Sequence, residues 1–138
     1  MSHSLTQLYV HLVWTTHRRL PLILPAIEQR LYSVILRKCR DLECHVLALG
    51  GLEDHLHLFV QFPSKLAIAV LAKDVKGASS HFVNHERVGA PPFQWQAGYG
   101  AFTVSKRSVE NVMEYVRNQK QRHKEGRLID DLEATDDG

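Results

Sequence analysis

The sequence predicts a single α+β domain, on three observations. Short β-rich runs carry alternating apolar residues, longer runs repeat their apolar residues every three to four positions, and the two kinds succeed one another regularly. With 138 residues, 44% of them hydrophobic and 23% charged, the chain suffices for one compact core and is too short for two.

Leu5–Thr15 opens the chain as a strand with Val10, Leu12 and Trp14 on one face. After a turn containing Pro21 and Pro25, Ile27, Leu31, Ile35 and Leu42, with Val34 beside them, recur at helical spacing opposite Glu, Arg and Lys, which predicts a helix over 26–42. Cys44–Leu49 reads as a buried strand and Gly50-Gly51 as a turn. His55–Phe62 returns as the second strand of a hairpin whose loop holds Glu53 and Asp54. Pro63-Ser64 breaks that strand, and Ser64 is placed to cap a helix running to Glu86. Val88-Gly-Ala-Pro-Pro is a loop, and Phe93–Val104 a strand broken at Gly98 and Gly100. Ser105 or Ser108 caps a last helix to Lys124. The order β-α-β-β-α-β-α contains the ferredoxin-like pattern: an antiparallel sheet with helices on one face, the other face left available, plus a C-terminal helix.

The net charge of +2 conceals an asymmetry. Residues 126–138 hold five acids against Arg127 alone, which leaves 16 bases and 10 acids in the body. Residues 1–125 are expected to form the domain and 126–138 an acidic, solvated, mobile tail, while the basic body favours phosphate-bearing partners. Apolar runs such as Leu66–Ala72 fall far short of the roughly 20 residues of a membrane helix, and no basic-then-apolar leader opens the chain. Cys39 and Cys44 build neither a disulfide framework nor a structural zinc site. The expectation is a cytoplasmic protein that does not enter a membrane.

The chemistry centres on His55-Leu56-His57. Alternation along a strand sends His55, His57, Phe59 and Gln61 to one face and Leu56, Leu58, Val60 and Phe62 to the core, so both imidazoles project together and can share one metal ion. Nine histidines in 138 residues yield roughly 0.6 His-x-His triplets by chance, so the triplet draws its meaning from its place on the polar face. On the final helix Tyr115 and Gln119 lie one turn apart, at the edge of the stripe Val109, Val112, Met113 and Val116. A rim tyrosine with its hydroxyl in water is the plainer reading of that spacing alone. Taken with the imidazoles, the phenol and carboxamide complete a set for phosphoryl transfer: a metal polarises a phosphodiester, and the phenolate attacks phosphorus to form a covalent ester.

With these residues in view, the chain resembles the HUH-motif single-tyrosine transposases, the TnpA type of the smallest bacterial insertion sequences, together with the REP-associated tyrosine transposases. Over nearly all of residues 5–124 the likeness rests on His55-Leu56-His57, on Val13-Trp-Thr-Thr-His-Arg-Arg19, on Leu71-Ala-Lys-Asp-Val-Lys-Gly-Ala-Ser-Ser80, and on Tyr115-x-x-x-Gln119. The resemblance implies a ferredoxin-like homodimer that cuts and rejoins single-stranded DNA at hairpin-marked element ends, with a divalent ion. It further implies His55, His57 and Gln119 as metal ligands and Tyr115 as the nucleophile, leaving a 5′-phosphotyrosine and a free 3′-hydroxyl. In the family the tyrosine helix often completes the partner's site, so the histidine and tyrosine pairs can come from one chain or two. Magnesium suits hard oxygen ligands, whereas two imidazoles fit manganese or another transition ion better; magnesium and manganese both stay open.

Around this core, Asp54 is either an acceptor orienting one of the histidines or an ordinary turn residue. Arg18, Arg19, Lys73, Lys76, Ser79 and Ser80 are the DNA-binding candidates, with Lys73, Lys76 and Ser80 on one helix face, against the plainer reading of solvated side chains. Trp95 and Tyr99 either stack on bases or pack the core. His81 and His85, four apart, read as helix-surface residues. Two other functions compete: a non-catalytic nucleic-acid-binding module, and a metal-dependent phosphoesterase that uses water.

Overall fold

Strands β1 (Leu8–Thr15), β2 (His45–Gly51), β3 (His55–Phe62) and β4 (Gly100–Val104) form one antiparallel sheet in the order β2-β3-β1-β4. The computed structural model describes residues 4–86 and 92–135. Helix α1 (Pro25–Asp41) carries the chain from β1 to β2, and α2 (Ile68–Glu86) from β3 to β4. Each crossover skips one strand position, and crossovers of the usual hand put both helices on the same face. There Val10, Leu12, Trp14, Leu56, Leu58, Val60 and Phe62 meet Ile27, Leu31, Ile35 and Cys39 of α1 and Leu71, Val75 and Val83 of α2. This is the ferredoxin-like arrangement, with the predicted strand faces. No helix among the described residues is long and apolar enough to cross a membrane.

Several boundaries differ from the sequence expectation, each for a physical reason. Gly50 and Gly51 are not a turn but the last residues of β2, paired with His57 and Leu56, and the hairpin turns at Leu52–Asp54. Ser64 lies outside α2, which starts at Ile68. Phe93–Gly98 makes only a bridge from Trp95 to Thr16, because the carbonyls of Gln96, Ala97 and Gly98 are satisfied by the Lys76 ammonium at 2.7, 3.2 and 3.0 Å instead of a strand. The last helix is two, α3 (Val109–Arg117) and α4 (Gln119–Glu125), broken at Asn118, whose side-chain amide donates to the Glu114 carbonyl at 2.9 Å. A short helix α5 (Asp130–Glu133) follows. Most of the Val88–Pro92 loop, and residues 136–138 of the expected tail, lie outside the described residues.

The second face of the sheet is not left open. Helix α3 covers it, packing Val112 and Val116 on Ala48 and Phe59. One row across the sheet runs Gly50, His57, Val13, Gly100, and the glycines at its ends admit backbone. A β-carbon at Gly50 would stand 2.1 Å from the Val116 carbonyl oxygen, and one at Gly100 2.1 Å from that of Ala134. Gly50→Ala is therefore expected to lift α3 and to cost about 1–3 kcal/mol of stability, read as a lower urea midpoint.

Candidate active site

The row that admits α3 and the backbone of Ala134 also holds His57, and His55 lies two residues back along β3 on the same face. His55 and His57 point from β3 to the α3 side and are 2% and 0% exposed. Their rings lie at 75° with centroids 5.1 Å apart. Each has a partner behind it: His55 Nδ1 is 2.8 Å from Asp54 Oδ1, and His57 Nδ1 is 2.8 Å from His11 Nε2 on β1. Asp54 is thus an acceptor for His55 and also lies 3.7 Å from the Arg19 guanidinium.

Helices α3 and α4 bring the other groups. Tyr115 is fully buried, its ring edge-on to His57 at 5.9 Å and beneath the Arg122 guanidinium at 4.7 Å. Gln119 donates its amide to the Tyr115 carbonyl at 3.0 Å, which turns Oε1 towards His55 Nε2, 3.4 Å away. The histidine pair and the Tyr–Gln pair thus meet within one chain. Two further residues, absent from the sequence reading, complete the cluster. His123 Nε2 is 3.1 Å from both His55 Nε2 and Gln119 Oε1. Glu133 of α5 sets Oε2 3.2 Å from His57 Nε2 and Oε1 3.6 Å from both His55 Nε2 and His123 Nε2. The Tyr115 hydroxyl donates to the same carboxylate and accepts from the Ile129 amide at 3.0 Å. His123 continues the four-residue spacing of Tyr115 and Gln119, a signal the sequence carried. Glu133 carried none, since only the folding back of an acidic segment brings it here.

The donor set fits a divalent cation. His55, His57 and Glu133 offer ligand atoms within 4.8 Å of one another, and Gln119 adds an amide oxygen. His57 Nε2 is buried without a hydrogen-bond partner among the described residues. The nearby Glu133 oxygen lacks the alignment of a hydrogen bond, and a shared cation would satisfy both atoms.

Electrostatics describe a disarmed state. Burial first, and then the hydrogen bond to Glu133, push the Tyr115 phenol up to about 12. Burial works to raise Glu133, but the His57 imidazole beside it, the hydrogen bond from Tyr115 and the His55 imidazole outweigh it and hold the carboxyl below its ordinary range. Burial lowers His57 and, with less force, His123. Burial first and His57 second hold His11 down at about 3. The unfolded chain binds that proton near pH 6.5, so the stability tied to neutral His11 is whole above about pH 6.5 and drains away as the pH falls towards 3. The loss expected by pH 3 is on the order of 3–5 kcal/mol, seen as a falling urea midpoint that His11→Phe flattens.

The DNA-binding candidates separate. Arg18 and Arg19 are exposed at the end of β1, on left-handed backbone (φ 56° and 55°) next to the site. Lys73 is exposed and Ser80 half-buried on α2. Lys76 spends its donors on the 96–98 carbonyls. Ser79 is fully buried, donating to Val75 and accepting from the Trp95 indole. These two hold the fold and do not face a ligand. Trp95 is core, edge-on to Trp14 and Phe93, and His81 and His85 are exposed on α2.

A four-stranded antiparallel sheet presenting two imidazoles to a helix-borne phenol and carboxamide is the arrangement of the HUH single-tyrosine transposase class. A family model for IS200-like transposases matches residues 4–119, and the chain belongs to that family. It is 27% identical over 109 residues to the transposase for insertion sequence element IS200 of Salmonella typhimurium and to that of Salmonella typhi, covering 74% of this chain and 70% of each relative. Among solved structures, it superposes on a candidate transposase from Deinococcus radiodurans R1 with a TM-score of 0.68 at 21% identity, covering 86% of this chain and 95% of the other. It also superposes on a REP-associated tyrosine transposase bound to a REP hairpin, with a TM-score of 0.66 at 15% identity, covering 93% of this chain and 74% of the other.

Proposed function

We propose that this chain cleaves and rejoins single-stranded DNA at hairpin-marked ends of a mobile element, as a homodimer, through a covalent 5′-phosphotyrosine. The observation that carries the reading is the convergence of the Tyr115 hydroxyl and both imidazoles on one carboxylate. The position that Glu133 fills is where a scissile phosphate would reach all three. His55, His57 and Gln119 would hold a divalent ion, manganese or magnesium, with Glu133 able to join them. The ion would offset negative charge on the phosphate oxygens.

The protein's own groups account for the rest. Tyr115 gives up its proton and its oxygen bonds to phosphorus; the bond to the 3′-oxygen breaks, and that oxygen takes a proton to leave as a free hydroxyl. The ester on Tyr115 keeps the phosphodiester's energy, so a second DNA 3′-hydroxyl can reverse the attack and free the phenol. Arg122 over the ring steadies it from one side. Arg18, Arg19, Lys73 and Ser80 are the proposed contacts to DNA, with the arginines beside the reacting strand. Since Tyr115 is wholly covered, residues 127–135 must leave the site before DNA enters, and their mobility belongs to the same reading.

Incubation with Mn2+ and single-stranded oligonucleotides bearing the hairpins that flank the gene is expected to yield a protein–DNA conjugate. It should survive denaturation, vanish with EDTA and map to Tyr115. Cleavage to a free 5′-phosphate with no conjugate would make water the nucleophile. DNA binding indifferent to EDTA, with neither cleavage nor conjugate, would leave only a binding module.

A further inference from the structure

His11 is the one buried imidazole at the site that the proposed reaction does not use. It sits on β1 opposite Phe59, two residues along β3 from His57, a diagonal pair across the ladder. The two ring planes differ by 13° with centroids 5.1 Å apart. Combined with a nitrogen–nitrogen distance of 2.8 Å, this is the spacing of two imidazoles joined edge to edge in nearly one plane. Stacked faces would not bring the nitrogens together in this way. His11 Nδ1 has no hydrogen-bond partner among the described residues. On its outer side the ring faces Phe102 of β4, centroids 6.4 Å apart. A fully buried histidine with one nitrogen stranded is a burden that packing alone does not call for.

The proton on the shared edge decides what His57 can do. If it belongs to His11, neutral His57 must carry its own proton on Nε2, pointing into the ligand cluster, and cannot bind a cation there. If it belongs to His57, Nε2 is a bare lone pair facing Glu133 and the other donors. The second case agrees with the unaligned approach of Glu133 Oε2 to Nε2, since an N–H at 3.2 Å would draw that carboxylate onto its axis. His55 shows the same logic with a different partner, because Asp54 accepts at its Nδ1 and frees its Nε2. Ligating histidines generally need such an acceptor behind them.

We propose that His11 is a positioning residue: its Nε2 accepts the His57 Nδ1 proton, which fixes the ring and keeps His57 Nε2 a bare ligand directed at the cation site. Asp54 supplies the charged counterpart for His55, and His11 does the task at His57 without a second carboxylate beside the approaching phosphate. The inference rests on the metal reading above.

Its test uses the full-length protein. Long-range proton–nitrogen NMR on 15N-labelled chain, with His57 assigned by the His57→Ala spectrum, is expected to show the Nδ1–H form in the parent and the Nε2–H form in His11→Phe. Binding of Mn2+ alone, followed by the EPR signal of free Mn2+, is expected to weaken about tenfold in His11→Phe. His11→Gln, whose amide oxygen can accept, should recover most of it. An Nε2–H form in the parent overturns the proposal whether or not the variant folds. So does parental Mn2+ affinity in His11→Phe where His57→Ala has lost it. If His57→Ala itself binds Mn2+ as the parent does, the metal reading fails, and His11 loses its role with it.

Discussion

Tyr115→Phe is expected to abolish the covalent DNA conjugate and to reduce strand cleavage by roughly 10³-fold or more, as loss of an attacking group does in other covalent enzymes. The substitution removes one oxygen and keeps the ring that packs against His57 and lies under Arg122, so the site should keep its shape and its affinity for Mn2+. The hydroxyl also donates to Glu133 and accepts from the Ile129 amide. Its loss therefore loosens the C-terminal segment by about 1–3 kcal/mol and should make DNA binding no weaker than in the parent. A denaturing gel and a DNA-binding titration on the same sample separate the two effects. A conjugate that persists in the variant would move the nucleophile to another residue.

Ending the chain after Gly126 is expected to work in the opposite direction and raise the rate of conjugate formation. With the segment seated, burial and the hydrogen bond to Glu133 hold the Tyr115 phenol at about 12. Once it is gone, the phenol should return towards its ordinary value of about 10. Two pKa units correspond to roughly 100 times more phenolate in the free protein at neutral pH; because the reaction itself takes place with the segment displaced, the gain in rate reports how strongly the seated segment holds DNA out. Gly100→Ala should push in the same direction in the intact chain, because its β-carbon would meet the Ala134 carbonyl while Glu133 stays in the molecule. Single-turnover rates for both, measured across pH 6–10, are the check. A lower rate in both would make Glu133 a ligand that the reaction needs and not a cover over it, and an unchanged rate in both would show that the segment neither covers nor serves the reacting groups.

These two variants fall on opposite sides of what local sequence encodes. Alternation placed Val10, Leu12 and Trp14 on the core side of β1, and Leu56, Leu58, Val60 and Phe62 on the core side of β3, because a strand's period of two leaves each side chain a single face once one face is buried. The same rule put His55 and His57 together, and the helical period set Gln119 one turn beyond Tyr115. Boundaries were less legible where the partner is distant. Gly50 and Gly51 look like a turn until α3 is seen to need their missing side chains, and the 93–99 segment looks like a strand until Lys76 takes up its carbonyls. Lys76 likewise reads as ligand-facing from helix spacing, which reports direction around one helix and not what packs against it.

By itself, then, the order of elements and the period of their apolar residues determined the sheet, its core face and the residue types gathered for phosphoryl transfer. Those depend on neighbours a few positions away along the chain. Only the tertiary structure decided that His11 stands behind His57, that His123 joins the cluster, and that Glu133 closes it. Each of these is a contact across 46 or more positions, or the return of a segment to its own sheet. Such contacts arise from packing against distant surfaces, and of the three residues only His123, four beyond Gln119, continues a spacing visible in the sequence.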